Sequence, residues 1–219
     1  ELRAAAESHG NRRRQHLEPP TRRRRLVRRA GTHHERDRRD RTGAHHAGDD
    51  VAAMEEVTRH VLSRGYSRPL FLAGPDTEST RLFRKETFLR VWEAERGGTV
   101  PPVIHARGYS PADGRDCALA YLQTLAPDQR PDVILCENDV LALGALDAMR
   151  GDLGLRVPQD IAITGFDDIP LASSPNYNLT TYRQPITDMV HALVRLLDSD
   201  GNAPLRTVLP GKFVPRGST

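Results

Sequence analysis

The sequence is poor in cysteine and has no long apolar run. Its 219 residues include two cysteines, Cys117 and Cys136, too few for a disulfide framework and not arranged as a CxxC pair. Both lie in apolar surroundings, which favours buried thiols and a reducing, cytoplasmic location. No stretch approaches the roughly 18 apolar residues of a membrane-spanning helix, so we expect no membrane partner. The start of the chain also lacks a signal-peptide pattern.

The motifs of common catalytic and nucleotide-binding sites are absent as well. The chain has no GxSxG elbow, P-loop, GxGxxG turn or HExxH pair. We therefore expect no catalytic residue, no cofactor and no metal site. The carboxylates Asp139, Asp167 and Asp168 leave acid–base or metal chemistry open as a less favoured alternative, with His105 the one histidine near a predicted strand end.

The first 47 residues contain no Phe, Tyr, Trp, Ile or Lys. They hold 14 Arg against six acidic residues, a formal charge of +8, so the other 172 residues carry −5 of the total of +3. Such a composition buries too little apolar surface to offset the entropy cost of folding. We therefore expect residues 1–48 to be an Arg-rich segment that is disordered or non-native.

Three interpretations of this segment compete. A basic arm that contacts nucleic-acid phosphates is one, although no aromatic residue is interleaved for base stacking. A metal site is weaker, because adjacent histidine pairs lack the usual ligand spacing; these pairs are His33, His34, His45 and His46. We favour a segment read out of frame from a GC-rich gene, which resequencing of the locus would test.

From Asp49 onward, predicted strands and helices alternate. Asp49 or Asp50 is a candidate cap for the first helix, and Ser110, Pro111 and Asp113 form a strong helix start. Strands are predicted over 69–74, 102–105, 132–136 and 161–164, and helices over 51–64, 82–92, 111–125, 140–149 and 186–197. This alternation predicts an α/β fold with a doubly wound parallel sheet and helices on both faces.

Ligands of open α/β sheets bind beyond the carboxyl ends of the strands. In this chain those positions carry aromatic rings, an amide and carboxylates, a combination that suits a polyhydroxylated ligand. The residues are Tyr109, Phe166, Asn138, Asp139, Asp167 and Asp168. Capping of the following helix is the alternative role of Asn138 or Asp139, and a turn position is that of Asp168.

Several linked phrases occur in a fixed order along the chain. They are Asp49-Asp50 with 60–68, Phe71-Leu-Ala-Gly-Pro75, 131–144 with Glu137-Asn-Asp139 and Gly144, 157–168 ending in Gly165-Phe-Asp-Asp168, 175–185, and Val214-Pro-Arg-Gly-Ser-Thr219. Through them residues 49–219 resemble the LacI/GalR family of bacterial transcription regulators. The similarity covers the C-terminal part of the family's periplasmic-binding-protein-like sensor domain.

The resemblance implies a type I periplasmic-binding-protein-like fold. One subdomain is nearly complete at 68–182, and remnants of the N-terminal subdomain lie at 49–67 and 183–219. The effector-binding residues that it implies are Asn138, Asp167, Arg84, Tyr109, Phe166 and Gln184. Thr87 replaces a family glycine near Arg84, and core packing is the alternative role of Phe166. Gln184 matches a position where the chain crosses back to the first subdomain.

The function expected from this resemblance is sensing of a sugar or sugar-like effector in a DNA-binding regulator that forms a homodimer. DNA is implied as a partner by the family alone, because no helix-turn-helix head is recognisable in this sequence. The alternative is a free-standing sugar-binding protein of the periplasmic type. That alternative predicts an export signal and two intact subdomains.

Overall fold

The computed structural model describes residues 45–76, 83–198 and 206–219 of the chain. The α-helices in these ranges are α1 (Asp50–Ser63), α2 (Arg84–Glu95), α3 (Pro111–Gln123), α4 (Asp139–Asp147) and α5 (Ile186–Leu197). The strands are β1 (His45–Gly48), β2 (Pro69–Ala73), β3 (Val103–His105), β4 (Val133–Cys136), β5 (Ala162–Thr164), β6 (Thr181–Arg183), β7 (Arg206–Leu209) and β8 (Lys212–Val214).

The central sheet is parallel and has helices on both faces. Its strand order is β3-β2-β4-β5. Successive side chains of β2 enter different cores: Leu70 and Leu72 pack with α3 and α4, whereas Phe71 and Ala73 pack with α1 and α2. This alternation follows from the two-residue period of a strand, and it requires apolar residues throughout β2. The predicted doubly wound parallel α/β fold is confirmed.

Side-chain caps begin three of the helices. The Asp49 carboxylate accepts a hydrogen bond from Ala52 N at 2.9 Å. Ser110 and Asp113 form the predicted capping box, each side chain accepting from the other residue's main-chain N–H at 3.1 Å. Asn138 caps α4, so of the two candidates at that position the amide takes the role and Asp139 becomes the first helical residue.

Four of the predicted helices differ at one or both ends from the observed ones, and α2 and α4 are the informative cases. The helix predicted over 82–92 runs from Arg84 to Glu95, and Leu82 lies outside the described residues. The helix predicted over 140–149 begins one residue earlier, because Asn138 is its cap. Its C-terminal turn widens into a π-helical turn at Ala148–Asp152.

Strand β1 lies at the end of the segment that composition separates from the rest of the chain. It pairs in parallel with β7, and Asp49 N continues the ladder with a hydrogen bond to Leu209 O at 3.3 Å. The predicted boundary at residue 48 therefore falls at the end of a strand. Residues 1–44, with the arginine blocks and His33 and His34, lie outside the described residues.

The C-terminal residues are integrated into the fold. Strand β8 pairs with β6 in an antiparallel arrangement. Ile163 N in β5 donates to Ser218 O at 2.9 Å, and Ser218 Oγ donates to Ile163 O at 2.6 Å. Thr219 Oγ1 lies 2.9 Å from His60 Nε2 of α1. Residues 216–219 thus connect strand β5 of the central sheet to helix α1.

Helix α5 has the predicted amphipathic pattern, but its apolar stripe faces solvent. Ile186, Val190, Leu193 and Leu197 are each at least half exposed. Of the described α5 residues, Ala192 alone is buried. The periodicity of the sequence predicted the helix correctly and did not predict its environment.

Gly144 allows α3 and α4 to approach closely. A Cβ at Gly144 would overlap the main-chain oxygen of Pro111, which cannot move without shifting α3. We expect Gly144→Ala to lower the free energy of unfolding by about 1–3 kcal/mol through overpacking. Gly151→Ala is the matched control, because a Cβ there meets no atom within 4 Å. Urea unfolding of both variants measures the difference, and equal stabilities would contradict this account of the helix contact.

Candidate functional site

The carboxyl ends of the four central strands bring polar residues to one edge of the sheet. Gly74 follows β2, Tyr109 lies in the loop after β3, Glu137 follows β4, and Asp167 lies just after β5. Since all four strands are parallel, these residues reach the same edge although they are far apart in sequence. We refer to this group, together with Arg84, Asp50, Asn138 and Gln184, as the strand-end network.

Arg84 is the centre of the network. It is the first residue of α2, and only 3% of it is exposed. Its guanidinium carbon lies 3.7 Å from the centroid of the Phe166 ring. Nη1 donates to Glu137 O at 2.8 Å, whereas Nη2 is shared between Asp50 Oδ1 at 3.3 Å and Asp167 Oδ1 at 3.4 Å. Among the described residues, none accepts a hydrogen bond from Nε.

Asp167 is the most accessible carboxylate of this group, with 33% of its side chain exposed. Gln184 Nε2 donates to its Oδ1 at 3.1 Å. Burial raises the pKa of Asp167, and the attraction to Arg84 and the hydrogen bond from Gln184 offset that rise only in part. Three of the predicted site residues, Arg84, Asp167 and Gln184, are therefore brought together.

The backbone at Asp167 has an uncommon conformation, with φ of 113°. Asp168 follows with φ of 55° and accepts hydrogen bonds from Arg183 Nε at 2.5 Å and Arg216 Nη2 at 2.6 Å. Burial alone would raise the pKa of Asp168, but these two arginines lower it. Asp168 is thus a structural anchor that holds the turn presenting Asp167, beyond the turn role that its sequence position suggested.

Asp50 belongs to the network, although sequence reasoning treated it only as a helix cap. Asp49 takes the capping role, which leaves the Asp50 carboxylate free to contact Arg84. Burial is the largest influence on Asp50 and raises its pKa against the lowering effect of Arg84. The adjacent pair of acids in the sequence was the signal, because a single helix start needs one cap.

The two aromatic candidates have different surroundings. Phe166 is fully buried and stacks on Tyr182 with ring centroids 5.2 Å apart, so it supports Arg84 from within the core. Tyr109 is 38% exposed, and its hydroxyl donates to Glu137 Oε1 at 3.1 Å. A Cβ at Gly74 would overlap the Tyr109 ring. Tyr109 therefore presents an aromatic surface at the strand-end edge, whereas Phe166 lies in the core.

Glu137 was not predicted as a site residue, yet it connects three parts of the network. Its Oε2 accepts from Gly74 N at 2.5 Å, its Oε1 accepts from Tyr109, and its main-chain oxygen accepts from Arg84. The residue is buried. A charged residue between a buried strand and a helix cap was the available sequence signal.

Asn138 has its amide oxygen engaged by the fold. Oδ1 accepts a hydrogen bond from Leu141 N at 2.9 Å as the cap of α4. Its Nδ2 has no acceptor among the described residues, and the residue is only partly buried. The cap and a ligand-binding role are therefore compatible, because they use different atoms of the same amide.

Asp139 is fully buried behind this edge. Its Oδ1 accepts from Thr181 Oγ1 at 2.6 Å and its Oδ2 from Ile169 N at 2.8 Å, so it joins α4 to strand β6 and to the segment after β5. Burial raises the pKa of Asp139 to about 7, against the lowering effect of these two hydrogen bonds. Its position assigns it to the scaffold of the site.

Across residues 45–76, 83–198 and 206–219, no group of three or more His, Cys, Asp or Glu is placed to hold a metal ion. In the same ranges no helix has the length and apolar character needed to span a membrane.

A parallel α/β sheet with polar residues at its strand ends has the architecture in which ligands bind at that edge. The family model described as "Periplasmic binding protein-like domain" matches residues 58–219. The chain belongs to this family. The named regulators that it resembles are LacI-type proteins, which confirms the resemblance read from the sequence motifs.

Similarity to individual proteins supports this assignment. The chain is 35% identical over 179 residues to "HTH-type transcriptional regulator reg1" of Streptomyces lividans, covering 78% of this chain and 50% of that protein. A regulatory protein of the LacI family from Chloroflexus aggregans has a TM-score of 0.70 and 28% identity, covering 82% of this chain and 64% of that one. A dimeric Lac repressor with a C-terminal deletion has a TM-score of 0.67 and 26% identity, covering 80% and 63%.

The chain spans about half the length of the reg1 relative that it matches. That relative is named as a transcriptional regulator and not as an enzyme. The similarity thus establishes the family and the fold of the described residues.

Proposed function

We propose that the chain is the effector-sensing domain of a LacI/GalR-type transcriptional regulator and that it binds a sugar or sugar-like molecule at the strand-end network. The observation that carries this proposal is the shared contact of Arg84 with Asp50 and Asp167, reinforced by Gln184. Arg84 and Asp167 belong to the subdomain predicted at 68–182. Asp50 and Gln184 belong to the two predicted remnants of the other subdomain. The network thus joins the two parts whose relative orientation a ligand would change.

The proposed mechanism follows from the chemistry of these groups. Ligand hydroxyls donate to Asp167, the most exposed carboxylate, and accept from the Asn138 amide, while the Tyr109 ring packs against C–H groups. A ligand that contacts both predicted subdomains stabilises one of their orientations over the other. In a dimer this difference in ligand affinity between orientations is converted into a change in DNA affinity.

Further features of the whole regulator are proposals of the same kind. A homodimer is supported by the similarity to a dimeric Lac repressor. DNA as a partner is supported by relatives named as HTH-type regulators. We propose a cytoplasmic location and a non-catalytic role on the same basis.

A thermal-shift screen of the 219-residue chain tests the proposed function. The panel comprises neutral sugars, sugar acids and nucleosides. A ligand present at about 100 times its dissociation constant adds about 2.7 kcal/mol to the free energy of unfolding, which raises the melting temperature by several degrees. Absence of stabilisation by every compound would contradict a functional binding site in this chain.

Asn138→Ser separates the cap of α4 from ligand binding. Serine keeps a good cap, so the free energy of unfolding should change by less than about 0.5 kcal/mol. The variant lacks the amide Nδ2. We therefore expect the ligand concentration that gives half of the maximal thermal shift to rise at least about tenfold. Asn138→Ala is the comparison, because it removes both functions. Unchanged binding by the serine variant would show that Asn138 acts only as a cap.

A further inference from the structure

The strand-end network contains more negative than positive charge. Resting on the proposed function, we propose that Glu137 is a specificity-determining residue that, with Asp50 and Asp167, makes this wall of the site select uncharged or cationic polyhydroxylated ligands and reject anionic ones. The inference concerns the charge of the effector, which the family assignment leaves open.

Glu137 is held firmly in place. Its two carboxylate oxygens accept from Gly74 N and Tyr109 Oη, and its main-chain oxygen accepts from Arg84. Gly74 has no room for a Cβ beside the Tyr109 ring. The Glu137 carboxylate therefore lies against the exposed aromatic residue of the network and is itself buried, where water screens its charge poorly.

The positive charge of Arg84 is already used. Its guanidinium contacts Asp50, Asp167 and the Glu137 carbonyl, and it stacks on Phe166. Two carboxylates thus share one guanidinium, which contacts Glu137 through the main-chain oxygen and not through the carboxylate. A phosphate or carboxylate on a ligand would have to displace one of these contacts and enter a site of net negative charge.

Among the residues that the structure describes, the other cations near this edge pair with other carboxylates or are exposed. Arg183 and Arg216 hold Asp168, and Lys85 lies 3.8 Å from Asp76. Arg107, after β3, is exposed, so salt and water screen its charge. Burial raises the pKa values of Asp50 and Asp167, and the attraction to Arg84 offsets that rise only in part.

Matched ligands that differ in charge test this inference. The probes are D-glucose, D-glucosamine and D-glucose 6-phosphate, the same three forms of galactose, and adenosine with adenosine monophosphate. Thermal shifts of the full 219-residue chain are measured across a concentration series. In each set that responds, we expect the phosphate form to bind at least about tenfold more weakly than the neutral or amino form.

Glu137→Gln identifies the residue responsible. Glutamine can still accept from Gly74 N, and the Tyr109 hydroxyl can reverse its hydrogen bond, so the local structure is retained. We expect the ratio of the dissociation constants of the phosphate and neutral forms to shrink at least about threefold, while the dissociation constant of the neutral form changes less. Glu86→Gln is the control, because it removes the same charge from the exposed surface of α2.

Each outcome has a distinct meaning. Tightest binding of a phosphate form by the unmodified chain overturns the charge preference and leaves the proposed function intact. Equal changes for neutral and phosphate forms in Glu137→Gln overturn the specificity role and leave Glu137 as a structural residue. No stabilisation by any probe counts against the proposed function, and this inference falls with it.

Discussion

Arg84→Met is expected to lower the free energy of unfolding by about 3 kcal/mol and to abolish ligand-induced stabilisation. Methionine keeps an apolar stem to pack on Phe166, but it leaves Asp50 and Asp167 without a counterion and the Glu137 carbonyl without its donor. The expected loss lies at the lower end of the usual cost of breaking a buried ion pair, because a third of the Asp167 side chain is exposed and can be hydrated. Urea unfolding at pH 7 measures the change.

Two further variants show whether unpaired charge is the cause. Arg84→Met combined with Asp167→Asn should recover part of the lost stability, because one buried carboxylate is removed together with its partner. Lys85→Met removes the neighbouring cation, whose distance of 3.8 Å to the exposed Asp76 indicates a weak ion pair, and should change stability by less than about 0.5 kcal/mol. If Arg84→Met is no less stable than Lys85→Met, the structural importance assigned to Arg84 is wrong.

Asp139 is expected to make stability decrease as pH rises from about 4 to about 8. Its pKa is raised to about 7 in the folded protein from an ordinary value of 3.8, chiefly by burial. The folded chain therefore holds a proton that the unfolded chain has lost across this range. The stabilising contribution is complete at pH values below the unfolded pKa and is lost as pH rises through the folded pKa, for a total of roughly 4 kcal/mol.

Asp139→Asn isolates this contribution. The asparagine resembles the protonated carboxyl: it can accept from Ile169 N and donate to Thr181 Oγ1 without a charge. Subtracting the variant's urea-derived stability from that of the parent chain removes the effect of the other titrating groups. We expect this difference, the parent's free energy of unfolding minus that of the variant, to become more negative between pH 4 and pH 8. A difference independent of pH would show that Asp139 is already ionised in the fold at pH 4.

Local sequence signals predicted most of the described fold. The Ser110 capping box, the Asp49 cap and the apolar strands were recognisable because they depend on neighbouring residues and on a two-residue period. The predicted ends of α2 and α4 were wrong by one to three residues. At α4 two adjacent residues, Asn138 and Asp139, could each cap the helix. In the fold the Asp139 carboxylate instead accepts hydrogen bonds from Thr181 and Ile169.

The candidate site was predicted less completely. The motifs gave Arg84, Asp167, Gln184 and Tyr109 as candidate effector-binding residues, and in the structure Arg84 and Gln184 both contact Asp167. They did not identify Asp50 or Glu137, whose roles arise from contacts 34 and 53 residues away in the chain. Phe166 and Tyr109 had equivalent strand-end positions, yet one is buried and the other exposed, because Tyr182 and Arg84 both pack against the Phe166 ring.

The sequence by itself determined the parallel α/β class and the family of residues 49–219, since the order of strands, helices and motifs is local information. It also showed that the chain's net charge is an average of two unlike segments, with no lysine and few aliphatic residues in the first. Only the tertiary structure decided which carboxylates share Arg84, which of two adjacent residues caps α4, and that the apolar stripe of α5 is exposed. Each of these depends on which distant segments meet, and burial and pairing, which set the energies of charged and apolar groups, exist only after the chain has folded.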